Sequence, residues 1–298
     1  MTQATQAVLL KGAEPAAEIR ASLRERFQRF LARGIVPRLA VVTVGEPPAG
    51  NPYVRAKCRA AEELGAAAGV TRLPADATEK LVRDTLHALS ADAGVHGIIL
   101  QLPLPGHLHE ERFLEDVDPR KDVDGVHPLS VGRWVNGLRA HRPATPLGVL
   151  ELLRRHVGDL AGREIVVVGR SRIVGRPLSV LLSLRQPGLN ATVTLCHSET
   201  RDLAAVTRGA GILVVAMGRR RAIRAEHIRP GAVVIDVGIH PVADPAPGAP
   251  RYEGDVDFES VRNVASAITP VPGGVGPMTV AMILRNFADA AEWLEERA

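Results

Sequence analysis

The chain has 298 residues, 46% hydrophobic and 23% charged, enough to bury the cores of two ordinary domains. No apolar run approaches the roughly 18 residues of a membrane span. The opening residues lack the basic segment of a secretory signal, and the distant Cys58 and Cys196 make neither a disulfide framework nor a zinc site, so a cytoplasmic protein with no metal and no membrane contact is expected.

Apolar residues at Ile19, Leu23, Phe27, Phe30 and Leu31 predict a helix from Ala13 that Gly34 stops. Leu39–Val44 reads as a buried strand, and a Gly/Pro loop leads into a helix over Tyr53–Leu64. A helix over Thr78–Leu89 and a strand over Val95–Gln101 follow. Pro119–Pro146 is rich in Asp, Gly and Pro and reads as loop and domain boundary. Beyond it the alternation restarts: helix Leu147–His156, strand Glu164–Val168, helix Gly175–Leu184, then strands Thr192–Cys196, Ile212–Ala216 and Val233–Val237. His240–Arg251 reads as a surface loop, and Pro277–Glu296 as a closing amphipathic helix. Alternating helices and buried strands predict an α/β protein with parallel sheets covered on both faces.

Of the 37 basic residues only four are lysines: Lys11, Lys57, Lys80 and Lys121. A guanidinium cannot give up its proton near neutrality and an amine can, so each Lys is a candidate for proton chemistry. Tyr53 and Lys57 stand at i and i+4 and project from one helix face, after the loop that leaves a buried strand. A solvated surface pair is the plain alternative. Gln101 ends a strand in Leu100-Gln101-Leu102-Pro103, either as an amide presented to a ligand or as a strand terminator. Lys121-Asp122-Val123-Asp124-Gly125 is an acidic turn, either a simple Asx turn or a carboxylate for a heterocycle's N–H groups.

The segment Val166–Pro177, VVVGRSRIVGRP, takes a buried strand through Gly169 to a helix opened by Gly175. This is a context for phosphate at a helix N-terminus, although its spacing is not G-x-G-x-x-G. Arg170 and Ser171 occupy the turn, and Ser198 follows the next strand where an NAD-preferring domain usually carries an acid. Thr269–Thr279, TPVPGGVGPMT, alternates stiff prolines with glycines that let a ligand approach the backbone, and reads as a shaped ligand wall.

Together YVRAK, QLPLP, KDVDG, VVGRSRIVGRP, CHSET and TPVPGGVGPMT resemble, in order and over nearly the whole chain, the bifunctional methylenetetrahydrofolate dehydrogenase/methenyltetrahydrofolate cyclohydrolase family. The resemblance implies two α/β domains flanking a cleft: a folate-binding catalytic domain of residues 1–145 plus 275–298, and a Rossmann-like NAD(P)-binding domain of residues 146–274. The C-terminal helix would return to the first domain. It implies a homodimer acting on tetrahydrofolate derivatives: NADP-dependent oxidation of 5,10-methylenetetrahydrofolate, then hydrolysis of the methenyl product to 10-formyltetrahydrofolate. Lys57 would be the catalytic amine, Tyr53 the ring against the folate, Gln101 the neighbour that sets the lysine's protonation, and Asp124 the pterin holder. Leu100, Leu102, Pro272, Gly273, Gly274 and Gly276 would line the folate site. Gly169, Arg170, Ser171, Ser198 and Ile239 would contact NADP, with Thr145 and Thr279 near the nicotinamide.

The chain departs from the family pattern at Gly50, Cys58, Ala144 and Glu199. Glu199 stands where a basic residue is common, which adds NAD as a second candidate cofactor, with Arg219–Arg221 as candidate compensation. A short-chain dehydrogenase also uses YxxxK, but there the glycine-rich turn precedes the pair, and here it follows by more than a hundred residues.

Overall fold

A computed structural model describes residues 6–45, 51–242 and 251–296. In chain order the elements are β1 (Val8–Leu9), α1 (Ala13–Ala32), β2 (Arg38–Val44), α2 (Pro52–Glu62), β3 (Ala67–Leu73), α3 (Glu79–Ala91), β4 (Gly97–Leu100), α4 (Pro128–Val135) and α5 (Ala144–Val157). They continue with β5 (Glu164–Val168), α6 (Gly175–Ser183), β6 (Thr192–Cys196), α7 (Leu203–Arg208), β7 (Ile212–Val215), β8 (Val233–Asp236), β9 (His240–Pro241), β10 (Tyr252–Glu253), α8 (Phe258–Val261), β11 (Ala267–Ile268) and α9 (Val275–Glu295). They form two compact units, one of Ala17–Ala144 with Val280–Ala298, the other of Met1–Ala16 with Thr145–Thr279.

The first unit is built on a three-stranded parallel sheet of order β3-β2-β4. Its central strand is apolar on both faces because both faces are covered. Ala40, Val42 and Val44 pack with Val82, Leu86 and Phe113. A Cβ on Gly97 would press on Leu39, Val123 and Phe287, so β4 carries glycine where α9 crosses it. The Phe27 and Phe287 rings lie 5.4 Å apart, and Arg26 reaches Asp289 at 2.7 Å and Glu292 at 2.6 Å, joining α1 to α9. From β2 the chain adds β3 on one side and β4 on the other, so the sheet order reverses beside the carboxyl end of β2.

The second unit holds a six-stranded sheet of order β1-β11-β8-β7-β5-β6, parallel throughout. Its core joins Val166, Val168, Leu213, Val215, Val234 and Ile268. From β5 the chain goes outward to β6 and then back across to β7. The carboxyl end of β5, at Gly169, is therefore the switch point where such sheets receive ligands.

Several elements depart from the sequence reading. β3 escapes it because AAGVTRL mixes small and polar residues on a strand that is only half covered. The segment read as loop contains α4, capped where His127 Nδ1 accepts from the Leu129 backbone and anchored by buried Trp134. The expected loop at His240–Arg251 opens with β9, which pairs antiparallel with β10 just after it, Tyr252 lying opposite Pro241. β1 pairs with β11 in the six-stranded sheet, so residues up to Ala16 fall with the second unit, on the far side of the expected domain boundary.

Candidate active site

In the three-stranded unit, α2 starts where the Asn51 side chain accepts from the Tyr53 backbone at 2.9 Å and Pro52 occupies the first turn. Lys57 lies on the helix's buried stripe with Val54, Ala60 and Ala61 and is 9% exposed, so the amine is turned into the protein. Its Nζ donates to Gln101 Oε1 at 3.1 Å. The other end of that amide, Nε2, donates to the Leu102 carbonyl at 2.6 Å, which keeps the oxygen facing the amine. The Gln101 backbone N–H donates to Val42, placing the pair at the carboxyl ends of β2 and β4, beside the reversal in strand order. Tyr53, Leu100 and Leu102 are half-buried around it, and the Leu102–Pro103 peptide bond is cis.

The acidic turn runs beside β4, with Asp122 bridged in parallel to Ile98, so Asp124 follows in the direction of that strand's carboxyl end. Asp122 is buried and accepts from the backbone of Gly125 at 3.1 Å and of Val126 and His127 at 2.7 Å. Burial, reinforced by the charge of Asp124, pushes the Asp122 carboxyl up to about 7 against the pull of those three donors. Asp124 is half-buried, and its carbonyl accepts from the Ala144 backbone at 3.0 Å. Asn286 on α9 fixes the same segment by donating to the Val123 and Arg142 carbonyls at 2.9 Å. Asp122 and Asn286 were not singled out in the sequence. Asp122 was visible only as the first carboxylate of KDVDG, and Asn286 had no local signal.

In the six-stranded unit, Gly169 has φ +115, and a Cβ there would overlap the Ala216 carbonyl. A Cβ on Gly175 would overlap the Gly169 carbonyl. The turn and the start of α6 therefore pack backbone to backbone, which is why both positions are glycine. Ser171 Oγ accepts from the Val174 backbone at 3.2 Å and the Gly175 backbone at 3.4 Å, forming the turn that leads into α6. Gly169 N–H donates to the Cys196 carbonyl, bringing the β5 turn beside the turn that carries Ser198 and Glu199, both exposed. Arg170 is exposed on the turn, Ile239 is exposed beyond β8, and Thr279 Oγ1 donates to Thr145 Oγ1 at 3.1 Å. Thr279 lies on α9, just after the glycine wall. Gly12 donates to the Gly273 carbonyl at 2.8 Å, and a Cβ on Gly12 would overlap the Gly274 carbonyl. Pro272 and Gly276 are exposed on that wall.

Of the candidate compensating residues Arg219–Arg221, two pair with acidic neighbours. Arg220 is committed to Glu253 at 2.5 Å, and Arg221 to Asp257 at 3.0 Å. Gly50 lies outside the described residues. Among those residues, no helix is long and apolar enough to cross a membrane.

A doubly wound parallel sheet with a tight glycine turn at its switch point in one unit, and a buried amine–amide pair in the other, define a two-unit α/β protein of the dinucleotide-binding class. Residues 10–124 match the model of the tetrahydrofolate dehydrogenase/cyclohydrolase catalytic domain, and residues 143–295 that family's NAD(P)-binding domain. The chain belongs to the tetrahydrofolate dehydrogenase/cyclohydrolase family. It is 46% identical over 287 residues to the bifunctional protein FolD of Syntrophobacter fumaroxidans, covering 96% of this chain and 97% of the relative. Among solved structures, the bifunctional FolD dehydrogenase/cyclohydrolase of Campylobacter jejuni is 41% identical with a TM-score of 0.86, covering 96% of this chain and 99% of the other. The dehydrogenase–cyclohydrolase of Trypanosoma brucei, solved with NADP and an inhibitor, is 37% identical with a TM-score of 0.89, covering 99% of this chain and 100% of the other.

Proposed function

We propose that this chain oxidises 5,10-methylenetetrahydrofolate to 5,10-methenyltetrahydrofolate with NADP, and then hydrolyses the methenyl product to 10-formyltetrahydrofolate. The observation that carries the reading is the buried Lys57 amine held by the Gln101 amide oxygen at the carboxyl end of a parallel sheet. Bound NADP supplies the hydride acceptor. The tight glycine turn leading into α6 supports a phosphate at that helix start, and Arg170, Ser171 and Ser198 are assigned to the dinucleotide there. Ile239 is assigned to the dinucleotide, and Thr145 and Thr279 to its nicotinamide side, all in the same unit.

Lys57 takes the proton released as water adds to the cationic methenyl carbon. That role needs an amine able to be neutral beside a cation, which a guanidinium cannot fill. Gln101 orients the amine, Asp124 holds the pterin N–H groups, and Tyr53 packs against the folate with Leu100 and Leu102. Pro272, Gly273, Gly274 and Gly276 are assigned to the folate as well, with Pro272 and Gly276 the exposed members of that stretch. We assign the folate chemistry to the three-stranded unit and the dinucleotide to the six-stranded unit of a cytoplasmic homodimer.

Absorbance-monitored turnover of methylenetetrahydrofolate with NADP and with NAD tests oxidation, and preformed methenyltetrahydrofolate tests hydrolysis alone. Activity is expected in both assays. A folded protein inert in both would overturn the reading.

A further inference from the structure

Two buried carboxylates in the six-stranded unit have no part in the roles above. Asp236 closes β8 at 3% exposure, and Asp255 follows β10 at 0%. The oxygens of Asp236 accept from the backbone of Gly238, Asp255 and Val256, each at 3.0 Å. Asp255 in turn accepts through Oδ2 from the backbone of Met217 at 2.7 Å and Gly218 at 2.9 Å. Its Oδ1 accepts from His240 Nε2 at 2.8 Å. The two carboxylates thus join, in series, the carboxyl ends of β7 and β8 and the ribbon β9–β10. Glycine is required around them: a Cβ on Gly238 would overlap the Asp255 carboxyl, and one on Gly254 the Asp236 carboxyl.

The anchored segments border the switch point. The Gly169 turn packs on the Ala216 carbonyl, immediately before the Met217 and Gly218 N–H groups that Asp255 holds. Ile239 sits between two anchored neighbours, Gly238 on Asp236 and His240 on Asp255, and is 39% exposed. A branched apolar side chain held in water by fixed backbone on both sides is preorganised to meet a flat ring, because its ordering cost is met before a ligand arrives.

We propose that the Asp255–His240 pair is a positioning device for the dinucleotide: it fixes Met217–Gly218 behind the glycine turn and Ile239 beside it, so that both are set before the cofactor binds. This rests on the assignment of the dinucleotide to the six-stranded unit. Both residues act through the backbone they hold. His240, whose side chain is 23% exposed, is the member that can be changed without emptying the core.

The test compares wild type with His240→Ala and His240→Gln, the latter keeping a side-chain N–H donor. Three readouts are needed: NADPH dissociation constant by fluorescence titration, thermal unfolding midpoint, and hydrolysis of preformed methenyltetrahydrofolate without dinucleotide. His240→Ala is expected to weaken NADPH binding about 5- to 20-fold, a range typical of one lost preorganising hydrogen bond to a charged group. Hydrolysis should stay within about twofold, and His240→Gln should recover most of the affinity. Unchanged NADPH affinity in His240→Ala would overturn the proposal. So would a parallel loss of affinity, hydrolysis and unfolding midpoint, which marks a purely structural contact. A wild-type protein that hydrolyses the methenyl substrate yet binds no NADPH would remove the dinucleotide assignment and this proposal together.

Discussion

Lys57 Nζ and Gln101 Oε1 meet at 3.1 Å although 44 residues separate them in the chain. The contact joins α2, which follows the central strand β2, to the end of its neighbour β4. Parallel strands place their carboxyl ends together, so residues that leave those ends converge without being close in sequence.

Lys57→Arg is expected to lower methenyl hydrolysis at least about 100-fold, the scale of a lost general base, while NADPH binding stays unchanged. Gln101→Met keeps the side-chain volume and removes the acceptor, and should cost roughly 10-fold or more. Stopped-flow hydrolysis alongside NADPH titration separates the two effects. Hydrolysis by Lys57→Arg at the wild-type rate would remove the amine from the mechanism.

Gly169→Ala and Gly175→Ala force a Cβ against a carbonyl oxygen, at Ala216 and Gly169 respectively. Each should destabilise the protein by roughly 2–4 kcal/mol and abolish dinucleotide binding. Denaturant unfolding and NADPH titration measure both consequences. Normal binding in either variant would mean that the turn relaxes freely and is no fixed cradle.

Asp122 is raised to about 7 in the folded protein, from 3.8 as an ordinary carboxyl. Between roughly pH 4 and 7 the folded state keeps a proton that the unfolded chain has released. This group's contribution is therefore favourable at low pH, declines as pH rises through that window, and levels off above about 7. Removing the neighbouring charge with Asp124→Asn should lower the Asp122 midpoint. Carbon-13 titration of the Asp122 carboxyl reads this directly, and an unmoved midpoint would show that Asp124 exerts no field there.

Glu199 is exposed on the β6 turn beside the Gly169 turn, and Arg220 and Arg221 are already paired with Glu253 and Asp257. A carboxylate there opposes the extra phosphate of NADP by like charge. Glu199→Lys should raise the NADP/NAD ratio of kcat/KM by about 10-fold, equivalent to ~1.4 kcal/mol. Steady-state kinetics with both cofactors measures the ratio, and no change would place Glu199 away from the ribose.

Much of the nucleotide-type unit was legible in the chain. Its strands β5, β7 and β8 carry near-continuous apolar runs because both of their faces are buried, and VVVGRSRIVGRP carries its glycines where backbones must touch. Tyr53 and Lys57 were legible as a pair because helix geometry alone sets i and i+4 on one face. Strand β3 was not, since a half-covered strand carries a diluted pattern. Asp236 and Asp255 look like ordinary acidic residues near turns until the sheet brings their N–H donors to them.

By itself the sequence determined most of the helices and the buried strands, the glycine positions and the scarcity of amines that singles out Lys57, because those depend on composition and on neighbours a few residues away. Only the tertiary structure decided which carboxylates are buried, which backbone donors they meet, and that β1 completes the six-stranded sheet. Those outcomes depend on contacts between distant segments and on the loss of water around them, and no stretch of sequence contains either.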